Sequence, residues 1–148
     1  MKKEINFYLR NEEYGWLSNF ERCFQVLDGE VYDTNEHYYQ SQKTTNEEIR
    51  DWIENAPNPY LAMQVGRSLR KGKELRDDWE KVKVEIMLKG LRAKFEDKLL
   101  RKKLLETGDA VLHEGSPTNP FWGKRGKDML GKLLMQVREE IRKEGEIK

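Results

Sequence analysis

The sequence predicts an α+β fold: a mainly helical single domain over residues 1–148, with a small antiparallel sheet near its N-terminus. Three observations lead there. Period-two alternation of apolar and polar residues is confined to the first quarter of the chain, apolar residues recur at helical spacing afterwards, and Asp28-Gly29 separates two strand-like runs. A chain of 148 residues can bury one sizeable core, and four Trp, six Tyr and five Phe supply its bulk although 37% of residues are charged.

Taken in order, Ile5, Phe7 and Leu9 alternate with polar residues as a half-buried first strand. The runs 23–27 and 30–32 flank Asp28-Gly29, a pair that supplies the positive φ angles of a tight hairpin turn. Asp33 then caps a helix. Ile49, Trp52 and Ile53 mark a short amphipathic helix ending near Asn55, Pro57-Asn58-Pro59 interrupts, and Pro59 opens a helix with Ala62, Val65 and Leu69 on its inner face. The longest helix is expected to start at Asp77 or Asp78 and to carry the core stripe Val84, Met87, Leu88, Leu91 and Phe95. Leu99, Leu100, Leu104 and Leu105 continue helical character to Gly108, which suits a left-handed C-terminal position. A strand over 110–113 follows, and Met129, Leu133, Val137 and Ile141 line a last helix.

Composition removes several function classes. With 28 basic and 27 acidic residues there is no global field for nucleic acid or a membrane surface, so an anionic ligand must be met by a local cluster. No run of about 18 apolar residues and no signal peptide is seen, which leads us to expect a cytoplasmic protein without a membrane partner. Cys23 is alone and the only histidines are His37 and His113, so neither an internal disulfide nor a metal-ligand spacing can be assembled. We expect neither metal nor cofactor, and Cys23 reads as a small buried hydrophobe.

Chemistry concentrates in three places. The segment Asp33–Lys43 puts Glu36, Gln40 and Lys43 on one face of a helix, an acid, an amide and an amine in a column. That column suits proton transfer and nucleophilic attack; the same residues also fit a capping box of Asp33 with Glu36, or a wetted helix face. Two loops, 14–20 and 115–128, are richer in glycine, aromatic and amide residues than packing needs. Ser18, Asn19 and Phe20 in the first, and Trp122, Gly123 and the basic Lys124, Arg125 and Lys127 in the second, suit a heterocyclic base and a phosphate. Alternatively their rings plug the ends of the core. Arg67 suits a substrate phosphate by its planar fork, or a surface salt bridge to Glu74.

Together these residues carry a resemblance. Leu17-Ser18-Asn19-Phe20, Glu36-His37-Tyr38-Tyr39-Gln40 with Lys43, Gly66-Arg67, Asp78-Trp79 with Lys83 and Met87, and Trp122-Gly123 with Leu130-Gly131, Leu134-Met135 and Arg138 resemble the NADAR (YbiA-like) family over about residues 7–138. The resemblance implies an intracellular, metal-free N-glycosidase that separates a ribose from a nitrogenous base. Its substrate would be a nucleotide-like small molecule, namely a phosphoribosylamino-pyrimidine intermediate of riboflavin synthesis, or ADP-ribosylated guanine in nucleic acid. No obligate protein partner is implied. By the same resemblance Glu36 is the general acid/base, Lys43 is the family lysine seven residues on, and Trp79 lines the ligand pocket. Asn119 stands at a catalytic position that is Asp in many relatives, and Asp128 at one that is often Asn. Loss of a carboxylate at Asn119 leaves proton transfer to Glu36 or Glu114, or marks a changed substrate.

Cleaving an N-glycosidic bond builds positive charge on the anomeric carbon and negative charge on the departing base. Glu36 and Glu114 could act as a carboxylate pair, as in sugar hydrolases. The column fits better a scheme in which a partly neutral Lys43 forms a Schiff base with the opened ribose while Glu36 moves protons. The alternative to an enzyme is a module that binds ADP-ribose or a related nucleotide without cleaving it, with a purely structural domain behind that.

Overall fold

The computed structural model describes residues 3–147, and the chain divides into two compact units, one from Arg22 to Lys94 and the other formed by the segments before and after it. Among the described residues no helix is long and apolar enough to cross a membrane.

The Arg22–Lys94 unit starts with the hairpin that the turn chemistry predicts. Strands β2 (Arg22–Leu27) and β3 (Glu30–Thr34) pair antiparallel with Val26 opposite Val31 and Gln25 opposite Tyr32. Asp28 and Gly29 have φ of 53° and 82°, the two left-handed residues a type I′ turn requires. Alternation then turns Cys23, Gln25 and Leu27 inward. Helices α1 (Asn35–Ser41), α2 (Glu47–Glu54), α3 (Pro59–Ser68) and α4 (Trp79–Lys94) follow. Leu27, Tyr32 and Tyr38 form one core cluster with Ile86 and Ala93 against it, while Ile53, Ala56 and Ala62 form another with Ile49, Leu61 and Val65. Asn46 and Asn58 cap α2 and α3 through Ile49 N (3.0 Å) and Leu61 N (2.9 Å), and Pro59 is the first residue of α3, as expected. Asp78 takes the cap position of α4 by its backbone, since its carbonyl accepts from Val82 N, but its carboxylate is turned to Arg76 at 2.6 Å.

Every residue of α1 is buried, which is rare for seven residues that include an acid, a histidine and two amides. Gly90 on α4 makes one close approach possible: a Cβ there would lie 2.1 Å from Asn35 Oδ1. Gln25 Nε2 donates to that oxygen at 3.0 Å and to the Gly90 carbonyl at 3.3 Å, tying hairpin, α1 and α4 through groups that would otherwise be buried unpaired.

In the other unit, β1 (Glu4–Phe7) pairs parallel with β4 (Val111–Glu114), Ile5 opposite Leu112. The small antiparallel sheet expected near the N-terminus is present as the β2–β3 pair, and the parallel β1–β4 pair is an addition to it. The hairpin is antiparallel, but the first strand belongs to a separate two-stranded sheet. Alternation reveals which side of a strand is buried and says nothing about its neighbour; a parallel pair needs a long crossover, and here the rest of the chain provides it. A short 3₁₀ turn spans Gly15–Leu17, α5 covers Lys98–Glu106 with Asp97 as cap, and Gly108 takes φ of 62° as expected. Helix α6 (Met129–Ile147) has 19 residues against 16 for α4, so the longest described helix is the last one. Leu130, Leu133, Leu134, Val137 and Ile141 form its buried face.

Candidate active site

The site is built first from α1. Thr34, not Asp33, is its N-cap, and its side chain accepts from His37 N at 3.1 Å. The capping box expected of Asp33 and Glu36 is therefore absent: Asp33 lies one residue before the cap, and Glu36 is the second helical residue and not the third. Glu36 is 7% exposed and its Oε2 accepts a 2.7 Å hydrogen bond from Gln40 Nε2, one turn on. Burial pushes the Glu36 carboxyl above the usual carboxylate range, opposed by the Gln40 bond and by the positive charges of Lys43 and Arg67.

Lys43 does not share the helix face. Helix α1 ends at Ser41, whose hydroxyl donates to the Tyr38 carbonyl at 2.7 Å, and Lys43 N turns back onto the Gln40 carbonyl at 3.2 Å. The amine is nonetheless electrically coupled to the acid. The Lys43 amine is lowered from 10.5 to about 8, chiefly by burial, with Arg67 and Lys83 adding to the effect and Glu36 and Glu80 opposing it. Its Nζ lies 5.5 Å from the Tyr39 ring centre and 5.8 Å from that of Trp79. These rings meet edge to face at 5.1 Å, and Trp79 is 5% exposed. Arg67, at the end of α3, is exposed; the salt bridge to Glu74 weighed for it goes to Arg70 instead, at 3.5 Å.

The remaining candidates lie in the other unit. Ser18 follows the 3₁₀ turn, and its Oγ accepts from Phe20 N at 3.1 Å, with Asn19 between them. Glu114 ends β4, and its Oε1 accepts from Ser116 N at 2.8 Å. Asn119 Oδ1 accepts from Phe121 N (3.2 Å) and Trp122 N (3.0 Å), so it folds the loop as an Asx turn. Trp122 is buried edge to face on Phe121 at 4.7 Å. A Cβ on Gly123 would come within 2.7 Å of the Asn119 carbonyl and 3.2 Å of Glu114 Oε2. Asp128 has φ of 52°; its Oδ2 meets His113 Nδ1 at 2.5 Å and its Oδ1 accepts from Glu114 N at 3.3 Å. Asp128 thus anchors the loop to β4.

The structure brings together Glu36, Gln40, Lys43 and Trp79, with Arg67 within electrostatic reach. Within the other unit it brings together Glu114, Asn119, Trp122, Gly123 and Asp128, and it holds Ser18, Asn19 and Phe20 in a separate turn. Sequence reasoning missed Tyr39 beside Lys43 and His113 on Asp128. Tyr39 stands four residues before Lys43, a readable spacing, whereas the His113 contact joins residues 15 apart and carries no local signal. Among the described residues no group of three or more His, Cys, Asp and Glu could hold a metal ion.

This architecture has counterparts. The model of the NADAR domain matches residues 6–142. N-glycosidase YbiA of Escherichia coli (strain K12) is 42% identical over 142 residues, covering 93% of this chain and 88% of that protein. A riboflavin biosynthesis protein of Vibrio vulnificus (strain YJ016) is 35% identical over 146 residues, covering 95% of this chain and 39% of that longer protein. An NMR structure of the E. coli protein YbiA superposes with a TM-score of 0.86 at 40% identity, covering 98% of this chain and 89% of the other. With a match that runs from the end of β1 through α1 to α5 and β4 into most of α6, the chain belongs to the NADAR domain family.

Proposed function

We propose that this chain hydrolyses the bond between a phosphorylated ribose and a nitrogenous base, with Glu36 as acid/base and Lys43 as the attacking amine. Its enzyme class is that of its relatives: it is an N-glycosidase. One observation carries the assignment of roles. A buried carboxyl bonded to Gln40 is pushed above the usual carboxylate range and an amine set beside the Tyr39 and Trp79 rings is lowered to about 8, so burial favours the protonated acid and the neutral amine that the two roles need.

The steps balance as follows. Lys43 Nζ attacks the anomeric carbon, the glycosidic C–N electron pair leaves with the base, and Glu36 delivers a proton to that nitrogen. Glu36 takes up the surplus ammonium proton and returns it to the ring oxygen as the ribose opens, leaving an imine. Water adds to the imine carbon, the C–N bond breaks, and free amine and open-chain sugar result. Tyr39 and Trp79 keep Nζ poorly hydrated, which favours the neutral amine. Arg67, in the same unit as Glu36 and Lys43, is the candidate phosphate partner.

Of the two substrate classes, the phosphoribosylamino-pyrimidine is favoured over ADP-ribosylated guanine in nucleic acid. A relative carries a riboflavin biosynthesis name, and a net charge of +1 gives no broad attraction for a polyanion. Asn119, the reason to consider a module that only binds, loses that force, since its Oδ1 is already occupied by two backbone amides. The test is mass-spectrometric detection of free base after incubating wild type and Glu36→Gln with each substrate. Release from the pyrimidine by wild type alone is expected; release only from the guanine would move the substrate, and equal release by the variant would remove Glu36 from its role.

A further inference from the structure

Gly66 lies on α3, one of the helices packed on α1. A methyl group there would stand 1.9 Å from Gln40 Oε1, 2.7 Å from its Cδ and 3.0 Å from its Cβ. The end of a glutamine ordinarily swings away from such an intruder. This one is not free to do so: Gln40 is 3% exposed, and its Nε2 is committed to Glu36 Oε2 at 2.7 Å. It can yield only by breaking that bond.

Two further facts point the same way. Gly66 has no left-handed backbone to require glycine, and glycine inside a helix is unfavourable relative to alanine, so the residue is there for the space it leaves. Among the described residues Gln40 Oε1 has no conventional hydrogen-bond donor. It faces the place where a Cβ would be, the direction of the second α-hydrogen of Gly66, as in the Cα–H···O contacts of closely packed helices. The amide is therefore held from both ends, by Glu36 at its nitrogen and by Gly66 at its oxygen.

We infer that Gly66 is a positioning residue for the reaction: it keeps the Gln40 amide in the one orientation that donates to Glu36 and so fixes the direction of that carboxyl. The inference rests on the reading that Glu36 transfers protons. Adding a Cβ at residue 66 displaces the amide and releases the carboxyl, although residue 66 touches no substrate. Because the Gln40 bond opposes the effect of burial on Glu36, its loss also makes that carboxyl harder to ionise.

The experiment is a double-mutant cycle of Gly66→Ala, Gln40→Ala and the double variant, with kcat and KM on the phosphoribosylamino-pyrimidine, together with a ¹³C-carboxyl NMR titration of Glu36 in each. We expect Gly66→Ala to lower kcat about tenfold or more with KM within about twofold, and the double variant to match Gln40→Ala within about twofold. Glu36 should titrate at higher pH in all three. Wild-type kcat in Gly66→Ala, losses that multiply in the double variant, or an unmoved Glu36 titration would overturn the inference. If Gly66→Ala alone does not fold, recovery of the fold in the double variant traces the damage to Gln40 and supports it, while a double variant that stays unfolded overturns it. Wild-type turnover in Glu36→Gln would instead remove the underlying role of Glu36, a result separate from the titration.

Discussion

The Thr34 hydroxyl accepts from His37 N at 3.1 Å and lies 2.8 Å from His37 Nδ1, so one side chain both starts α1 and holds its histidine. His37 Nε2 is 3.0 Å from the Ala56 carbonyl; a proton on Nε2 satisfies that acceptor and leaves Nδ1 to accept from Thr34. The consequence is for Glu36, which precedes His37. With the cap one position later than the sequence suggests, Glu36 has no capping duty to explain it, yet it is buried and hydrogen-bonded to Gln40. A buried acid with no structural duty at the helix end is a candidate for chemistry.

Glu36→Gln should lower turnover about 100-fold and at the same time raise the melting temperature near pH 8. The sign follows from the raised carboxyl. Below the ordinary value of 4.5 the group is protonated in folded and unfolded chains alike and costs nothing; above its raised folded value, ionisation in a buried place destabilises the fold. The stability gain of the variant should therefore shrink toward zero at pH 4. Calorimetry at both pH values beside a turnover assay checks it, and a variant less stable than wild type at pH 8 would show that the charge is well accommodated.

Lys43 should be trapped by borohydride during turnover, adding the mass of the reduced sugar at that residue and nothing in Lys43→Met. The rate should rise as pH climbs through about 8, where the amine becomes neutral. Lys83 is one of the charges that lower it, so Lys83→Met should move this limb to higher pH. Peptide mass mapping and pH–rate profiles decide. Unchanged protein mass during demonstrated turnover would return the reaction to a mechanism without a covalent lysine.

Local chemistry made much of this legible. Asp28-Gly29 required its turn, Pro59 opened its helix, and Glu36 was marked by spacing to Gln40. What the sequence concealed depends on partners far along the chain. The β1 pairing with β4 could not be read from Ile5 and Phe7, since alternation reports a face and not a neighbour. The Tyr39–Trp79 contact that surrounds Lys43 joins α1 to α4 across 40 positions. At Asn119 the sequence suggested a lost base and gave no sign of the loop-building role in which its Oδ1 accepts from two backbone amides.

Asn119→Asp should accordingly be mild. A carboxylate accepts from Phe121 N and Trp122 N as an amide oxygen does, and more strongly, so stability should hold or rise slightly and turnover should stay within about threefold. Asn119→Ala leaves both amides without their acceptor and should cost about 1–2 kcal/mol, by analogy with the loss of a helix cap. Chemical denaturation of the two variants separates these outcomes; a large rate gain in Asn119→Asp would restore the position to the catalytic group.

Gly131 and Gly145 lie on the same helix and should respond in opposite directions to alanine. A Cβ at Gly131 would sit 2.0 Å from the Leu112 carbonyl oxygen, and this neighbour is strand backbone that cannot swing aside, so α6 would have to move off β4. Gly131→Ala should destabilise by about 1–3 kcal/mol, as overpacking in a core does. At Gly145 none of the described residues comes within 4 Å of the added carbon. There the substitution removes a helical glycine and should stabilise by up to about 1 kcal/mol. Urea midpoints at unchanged m-value measure both, and equal effects at the two positions would mean that α6 is not seated on β4 as closely as the Leu112 contact requires.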